Sequence, residues 1–253
     1  MTATLTLILP KLQGVLPLPN QPLPLNTATL SPHRRPAVSE HHDHPGPEDQ
    51  PAFGPQWWEQ HYRSHPTGHD SPGPQLVAEA SDLPAGTALD AGCGRGADAV
   101  WLARRGWQVT AVDVSATAVD EATDRAANLD PEAASRITWV VADLTTWQPP
   151  RRYDLVVSQY VHPRVPFSAF VARLAGAVAP GGTLLVVGHD HADEHSAAHA
   201  PERASIGLDA VTGALAPQLW DVDVAESRTR HLTHGSTGTS IRDVVVKAHR
   251  RPV

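Results

Sequence analysis

Three acids and three glycines carry the chemistry that is easiest to read in this chain. The stretch "LDAGCGRGA" sets Asp90, Gly92, Gly94 and Gly96 at every second position, "VTAVDVS" carries Asp113, and "VVADL" carries Asp143. A glycine turn lets backbone approach a ligand that side chains would hold off. A helix opening at such a turn aims its unpaired N–H groups and positive dipole end at that ligand. An acid closing the following strand is placed to take ribose hydroxyls. Together these residues imply a nucleoside-containing cofactor.

Two cofactors satisfy the turn. Gly92, Gly94 and Ala97 fit the G-x-G-x-x-A form of the dinucleotide fingerprint, and Asp113 lies near the ribose-acid spacing. That reading gives an NAD(P)-dependent oxidoreductase. Asp90 points elsewhere, because a carboxylate there meets the ammonium of a methionine moiety but repels two phosphates. Asp143 is placed to accept from an adenine amino group. Both acids favour S-adenosylmethionine (SAM).

The elements that must hold these residues alternate. Short apolar runs predict strands at Thr87–Asp90, Gln108–Val112, Ile137–Val141, Asp154–Gln159 and Thr183–Gly188. Between them lie helical stretches Gly96–Arg105, Ala116–Leu129 and Ser168–Val178. Runs such as "YDLVVS" and "TLLVVG" suit a sheet covered on both faces. The alternation implies a doubly wound, Rossmann-like α/β fold. The segments "LWDVDVAESRTR" and "SIRDVVVKAHRR" flank a turn-rich stretch, which predicts a terminal hairpin with at least one antiparallel strand.

In order, "ALDAGCGRG", "VTAVDVS", "WVVADL", "YDLVVSQYVH" and "APGGTLLVVG" resemble the successive motifs of class I SAM-dependent methyltransferases. The resemblance covers roughly residues 53–250 and is strongest to the small-molecule, tellurite-resistance-type branch. It implies a seven-stranded sheet whose last strand is antiparallel. It also implies that Asp90, Gly92, Cys93, Gly94 and Gly96 surround the methionine end, and that Asp113 takes the ribose hydroxyls. Val114 would pack on adenine, Asp143 and Leu144 would complete its edge and face, and Gln159 would lie near the sulfonium. The implied activity is methyl transfer to a small-molecule acceptor. A non-catalytic SAM- or S-adenosylhomocysteine-binding protein is the alternative from another class.

Further residues attract attention by type and place. His162 follows the fourth strand, as a general base or as a residue ordering its loop, and Tyr160 is either an acceptor ligand or structural. Trp57, Trp58 and Tyr62 have helical spacing ahead of the core, where related enzymes carry a lid. Residues 53–80 are thus expected to form lid helices, with Trp57 and Tyr62 lining the substrate pocket and Trp58 packing. His189 is expected to line the substrate. His191, His195 and His199 follow at i, i+4 spacing, yet Gly188 and Pro201 favour a loop there, and no metal is expected. Cys93 reads as a small packed residue.

Composition sets the outer limits. One cysteine excludes an intrachain disulfide and suits a reducing cytoplasm. A net charge of −7 without a basic run argues against a nucleic-acid partner. The apolar opening "MTATLTLILPKLQGVLPLPNQPLPL" is broken by five prolines, so neither a signal segment nor a membrane helix is expected. Residues 1–52, rich in proline and histidine, are expected to be a disordered extension, with the catalytic domain spanning 53–253.

Overall fold

Period-two burial in the strands shows why this sheet is covered twice. Leu89, Val156, Leu184, Val186, Val244 and Val246 face one core, whereas Ala88, Leu155, Val157, Leu185, Val187 and Val245 face the other. Every one of these side chains is buried, so each strand reads as a continuous apolar run. The structure, a computed structural model, describes residues 53–65, 71–191, 205–234 and 237–252. The extension 1–52 and His195 and His199 lie outside the described residues.

Helices α1 (Pro55–Ser64) and α2 (Pro74–Ala80) precede β1 (Thr87–Ala91), α3 (Ala97–Arg104) and β2 (Gln108–Asp113). Then come α4 (Ala116–Leu129), the single turn α5 (Pro131–Ala134), β3 (Ile137–Val141), β4 (Tyr153–Gln159) and α6 (Phe167–Gly176). The chain continues through β5 (Val178–Asp190), the two-residue β6 (Ser205–Ile206), α7 (Leu208–Thr212), β7 (Trp220–His234) and β8 (Thr237–Arg250). The sheet order is β3-β2-β1-β4-β5-β8-β7, with β6 paired to β5 off that path. Strands β1 to β5 are parallel, and β8 runs antiparallel to both β5 and β7. The last strand is thus antiparallel, as the terminal hairpin foretold.

Two details depart from the sequence reading. Short β6 brings the sheet to eight strands among the described residues. Strand β5 begins at Val178 rather than Thr183, and α6 ends at Gly176, so Val178 is not helical. Tyr153 pairs with Val178 while Leu155 pairs with Thr183, and the extra residues of "APGG" are absorbed as an irregularity in the ladder.

The order reverses at β1, which lies between β2 and β4. Loops leaving β1 and β4 diverge there, opening a crevice at the carboxyl ends of the strands. One face of the sheet is filled by α6 and α7, and the other by α2 and α3 with Ala126 of α4.

Candidate functional site

The floor of the site is backbone. The N–H groups of Gly92 and Cys93 both donate to Val112 O, at 2.8 and 3.0 Å, so the turn after β1 is tied to the end of β2. A Cβ on Gly92 would run into a Val161 methyl. Gly96, the residue before α3, has φ +75°, and a Cβ there would meet the Trp139 indole. Asp113 bridges two loops: Oδ2 accepts from Gly94 N at 2.9 Å and Oδ1 from Ser115 N at 3.0 Å. Burial pushes its carboxyl up, against the pull of those amides. Ser115 also caps α4 by accepting from Ala118 N.

Beneath the turn sit two more acids, Asp90 buried and Asp98 half-buried. Asp90 is 3% exposed and its Oδ2 has no hydrogen-bond partner among the described residues. Burial, then the neighbouring Asp98 and Asp113, pushes its carboxyl well above the usual carboxylate range. Asp98, in the first turn of α3, accepts from Gly73 N at 2.7 Å and from Gln159 Nε2 at 2.5 Å. Burial raises Asp98 as well.

The roof is α1, docked through its middle and its C-terminal end. Glu59 accepts from Ser115 Oγ and Thr117 Oγ1, each at 2.7 Å, and pairs with Arg63 at 2.9 Å. The Thr117 and Ser115 hydrogen bonds hold its carboxyl down to about 2. Arg95, inside the glycine turn, pairs with Glu121 at 2.5 Å and donates to the carbonyls of Tyr62 at 3.1 Å and His65 at 2.6 Å. Its guanidinium also lies 5.0 Å from the centre of the Tyr62 ring. Tyr62 is thereby pressed onto the turn, its hydroxyl 2.8 Å from where a Gly94 Cβ would stand, and burial raises its phenol.

Between floor and roof lies a cavity of about 320 Å³. Gly92, Asp113, Val114, Asp143 and Leu144, from the ends of β1 to β3, line it together with Phe53, Trp58, Tyr160, His162 and Arg164, from around α1 and after β4, and with Tyr62 and Gln159. Asp143 accepts from Thr145 N at 2.8 Å and from Thr145 Oγ1 at 2.6 Å, which fixes its loop. His162 stacks on Trp58 (5.8 Å, 15°) and tilts against Phe53 at 5.0 Å. Burial, aided by nearby His189, holds its imidazole down to about 4.

Nine of the residues expected from sequence to line the site meet on this wall: Tyr62, Gly92, Asp113, Val114, Asp143, Leu144, Gln159, Tyr160 and His162. Asp90, Cys93, Gly94, Gly96, Trp57 and His189 are not on it. Trp57 stacks on His61 at 5.2 Å, and the His189 ring lies 4.8 Å from that of Tyr160. Trp58, expected to pack, lines the cavity instead. Sequence reasoning missed Glu59, Arg95 and Asp98. An acid in the first turn after the glycines was a usable signal for Asp98; nothing local marked the other two.

A mostly parallel sheet with a reversed order at β1, a glycine turn, and acids at the ends of β2 and β3 are the features of the fold that class I SAM-dependent methyltransferases share. Residues 88–182 match the family described as methyltransferase domain. An uncharacterized methyltransferase of Mycobacterium tuberculosis is 42% identical over 109 residues, 42% of this chain and 52% of that relative. The trans-aconitate 2-methyltransferase of Methylobacterium radiotolerans is 32% identical over 158 residues, 58% of each. The crystal structure of magnesium protoporphyrin IX methyltransferase from Synechocystis PCC 6803, with bound SAH, shares the fold at a TM-score of 0.53 and 21% identity. That likeness covers 69% of this chain and 78% of the other. The chain spans about half the length of the curated relatives it matches. Residues 88–182 therefore match a methyltransferase domain, a kind of domain whose cofactor is SAM, and these matches give the dinucleotide alternative no support.

The residues fit that cofactor. The partnerless Asp90 Oδ2 is a buried acceptor suited to an ammonium, and the glycine positions leave no room for side chains. No described helix is long and apolar enough to cross a membrane.

Proposed function

We propose that this chain transfers the methyl group of SAM to a small-molecule acceptor held beneath α1. One observation carries the reading: a single cavity joins the acids that close β2 and β3 to an aromatic wall made by α1 and the loop after β4. SAM, when bound, supplies an electrophilic methyl group on a sulfonium and departs as a thioether. Asp90 would hold the ammonium, Asp113 the ribose hydroxyls, and Asp143 with Val114 and Leu144 the adenine. Gly92, Cys93, Gly94 and Gly96 shape the methionine end, with Gln159 beside it.

The chain's remaining work is to align the acceptor and exclude water. Phe53, Trp58 and Tyr62 cover the reacting groups, and their ring faces favour a cationic sulfonium. His162 is uncharged at neutral pH and too weak a base to keep a transferred proton. Its role in this reading is to present a lone pair or a ring face to the acceptor, and Tyr160 forms the neighbouring wall. Trp57 and His189 support that wall from behind. The formal charge of −7 favours a small molecule over a nucleic acid, and the single cysteine suits the cytoplasm.

Calorimetric titration with SAM and with NAD tests the first half, with Asp113→Ala as the control. Saturable SAM binding, weakened about tenfold or more by the substitution, and no NAD binding are expected. SAH formation across an acceptor panel tests the second half. Tight SAM binding with no turnover on any acceptor would favour the non-catalytic SAM-binding alternative instead.

A further inference from the structure

We propose that Asp243, with Arg230 beside it, is a positioning residue for the acceptor side of the cavity and acts through Tyr160. This rests on the reading that the wall formed by residues 160–164 faces the acceptor. Among the described residues Tyr160 is the only one besides glycine with positive φ, at +55°. Side chains rarely adopt that conformation, and it persists where surroundings over-determine it. Four groups do so here. The Tyr160 N–H donates to Val187 O at 2.9 Å, and its hydroxyl donates to Asp243 Oδ2 at 3.0 Å. The Arg230 guanidinium lies 5.5 Å from the ring centre, and the His189 ring packs at 4.8 Å.

Asp243 is 0% exposed, on β8 opposite His189 of β5. A buried carboxylate is tolerated only when it is paired. Its hydrogen-bond partners come from two separate elements, Arg230 Nε of β7 at 2.7 Å and the Tyr160 hydroxyl after β4, and His189 Nδ1 of β5 stands 3.7 Å from its other oxygen, beyond hydrogen-bond distance. The terminal hairpin is thereby tied to the loop that lines the cavity. An ion pair serving only the hairpin would need Arg230 alone. Here the same oxygen that takes Arg230 also takes the one strained residue of the wall. The turn at Tyr160 in turn places its two successors: Val161 fills the space above Gly92, and His162 stands against Trp58.

The test uses the full chain with saturating SAH, tracking hydrogen–deuterium exchange of a peptide covering residues 159–165. It also uses steady-state kinetics on any acceptor that the native chain methylates. Tyr160→Phe removes one hydroxyl and leaves the Asp243–Arg230 pair intact, so it keeps the experiment open if Asp243→Asn fails to fold. Each variant is expected to bind SAH within about threefold of native, to exchange the 161 and 162 amides about tenfold faster, and to lose about tenfold in kcat/KM for the acceptor. The double variant should be no worse than the poorer single one, because both act on the same link. Native exchange and native kcat/KM in Tyr160→Phe would overturn the proposal, as would losses that add in the double variant. If the native chain binds neither SAM nor SAH, the functional reading itself fails. Exchange in the ligand-free chain then still decides whether Asp243 holds the wall.

Discussion

The two sides of the cavity wall are built by different means. On the side proposed to hold the cofactor, residues 88–115 form one strand–turn–helix–strand unit, and the turn is closed by main-chain groups onto Val112 and by Asp113 onto Gly94. On the side proposed to face the acceptor, side chains meet across long stretches of sequence: Glu59 reaches Ser115, and Tyr160 reaches Asp243. Backbone geometry dictates residue type, because only glycine fits where a Cβ would strike a neighbour. Side-chain docking dictates only that a donor find an acceptor, which many residue pairs can satisfy. Substitutions on the first side should therefore be all-or-none, and substitutions on the second should be graded.

The largest effect is expected at Gly96. Gly96→Val must place a branched side chain at φ +75° and against Trp139, and should cost about 3 kcal/mol or more. SAM binding should be undetectable and the melting temperature clearly lower. Gly181→Ala makes the control, since its φ is +78° but nothing lies within 4 Å of the added carbon. It should cost only about 1 kcal/mol and leave SAM affinity unchanged. Equal losses in both would show that φ alone, and not close approach at the turn, sets the requirement.

A graded effect is expected at Arg95. Arg95→Ala removes the contacts to the last carbonyls of α1 and the charge over Tyr62, while Glu59 still anchors the helix to Ser115 and Thr117. The roof should loosen without leaving. Stopped-flow binding should show SAM dissociating about tenfold faster with association little changed. If dissociation is unaltered, α1 does not gate the cofactor, and the two sides of the cavity act independently.

The same contrast explains how much of the molecule is legible in its sequence. The strands from β1 to β4, the glycine turn and the closing acids follow from period-two burial and from spacing within about thirty residues. The antiparallel last strand shows itself as two β-rich runs with no helix between them. The start of β5 does not, because Pro180, Gly181 and Gly182 suggest a turn where the ladder instead absorbs an irregularity. Trp58 reads as a packing residue because helical spacing cannot say which face of an aromatic helix meets a cavity. Glu59, Arg95 and Asp243 are silent for a plainer reason: a lone charged residue acquires meaning only from a partner that folding brings to it.

A smaller effect sharpens the boundary inside the cofactor side. Burial and the charges of Asp98 and Asp113 push Asp90 up, so in the free protein its carboxyl holds its proton to higher pH than usual. An ammonium placed beside it favours the ionised form, so binding releases a proton and affinity rises with pH until free Asp90 itself ionises. The rise should be no more than about tenfold per pH unit. Calorimetry in buffers of different ionisation enthalpy should register the released proton. Asp90→Asn should flatten the slope, and a nucleoside thioether lacking the amino-acid moiety should never show it. A slope that survives in Asp90→Asn would move the ammonium site to Asp98.

The smallest effect belongs to the acceptor side and is read in stability. His162 is held down to about 4 from an ordinary 6.5, by burial and then by His189. Between those values the unfolded chain binds the proton and the folded chain does not, so stability rises with pH through this window and is lost as pH falls below about 6.5. His61 is also lowered, by burial and the nearby His65 and Arg95, and contributes with the same sign. His162→Gln should therefore melt at a slightly lower temperature than native near neutrality, where the stack on Trp58 is lost. It should fall less steeply than native as pH drops toward 4.5, the remaining slope combining His61 with the opposing contribution of the raised carboxyls Asp90, Asp98 and Asp113. Thermal melts across that range measure both terms. An unchanged slope would mean that protonated His162 is accommodated in the folded wall, which would restore it as a group able to hold an acceptor's proton.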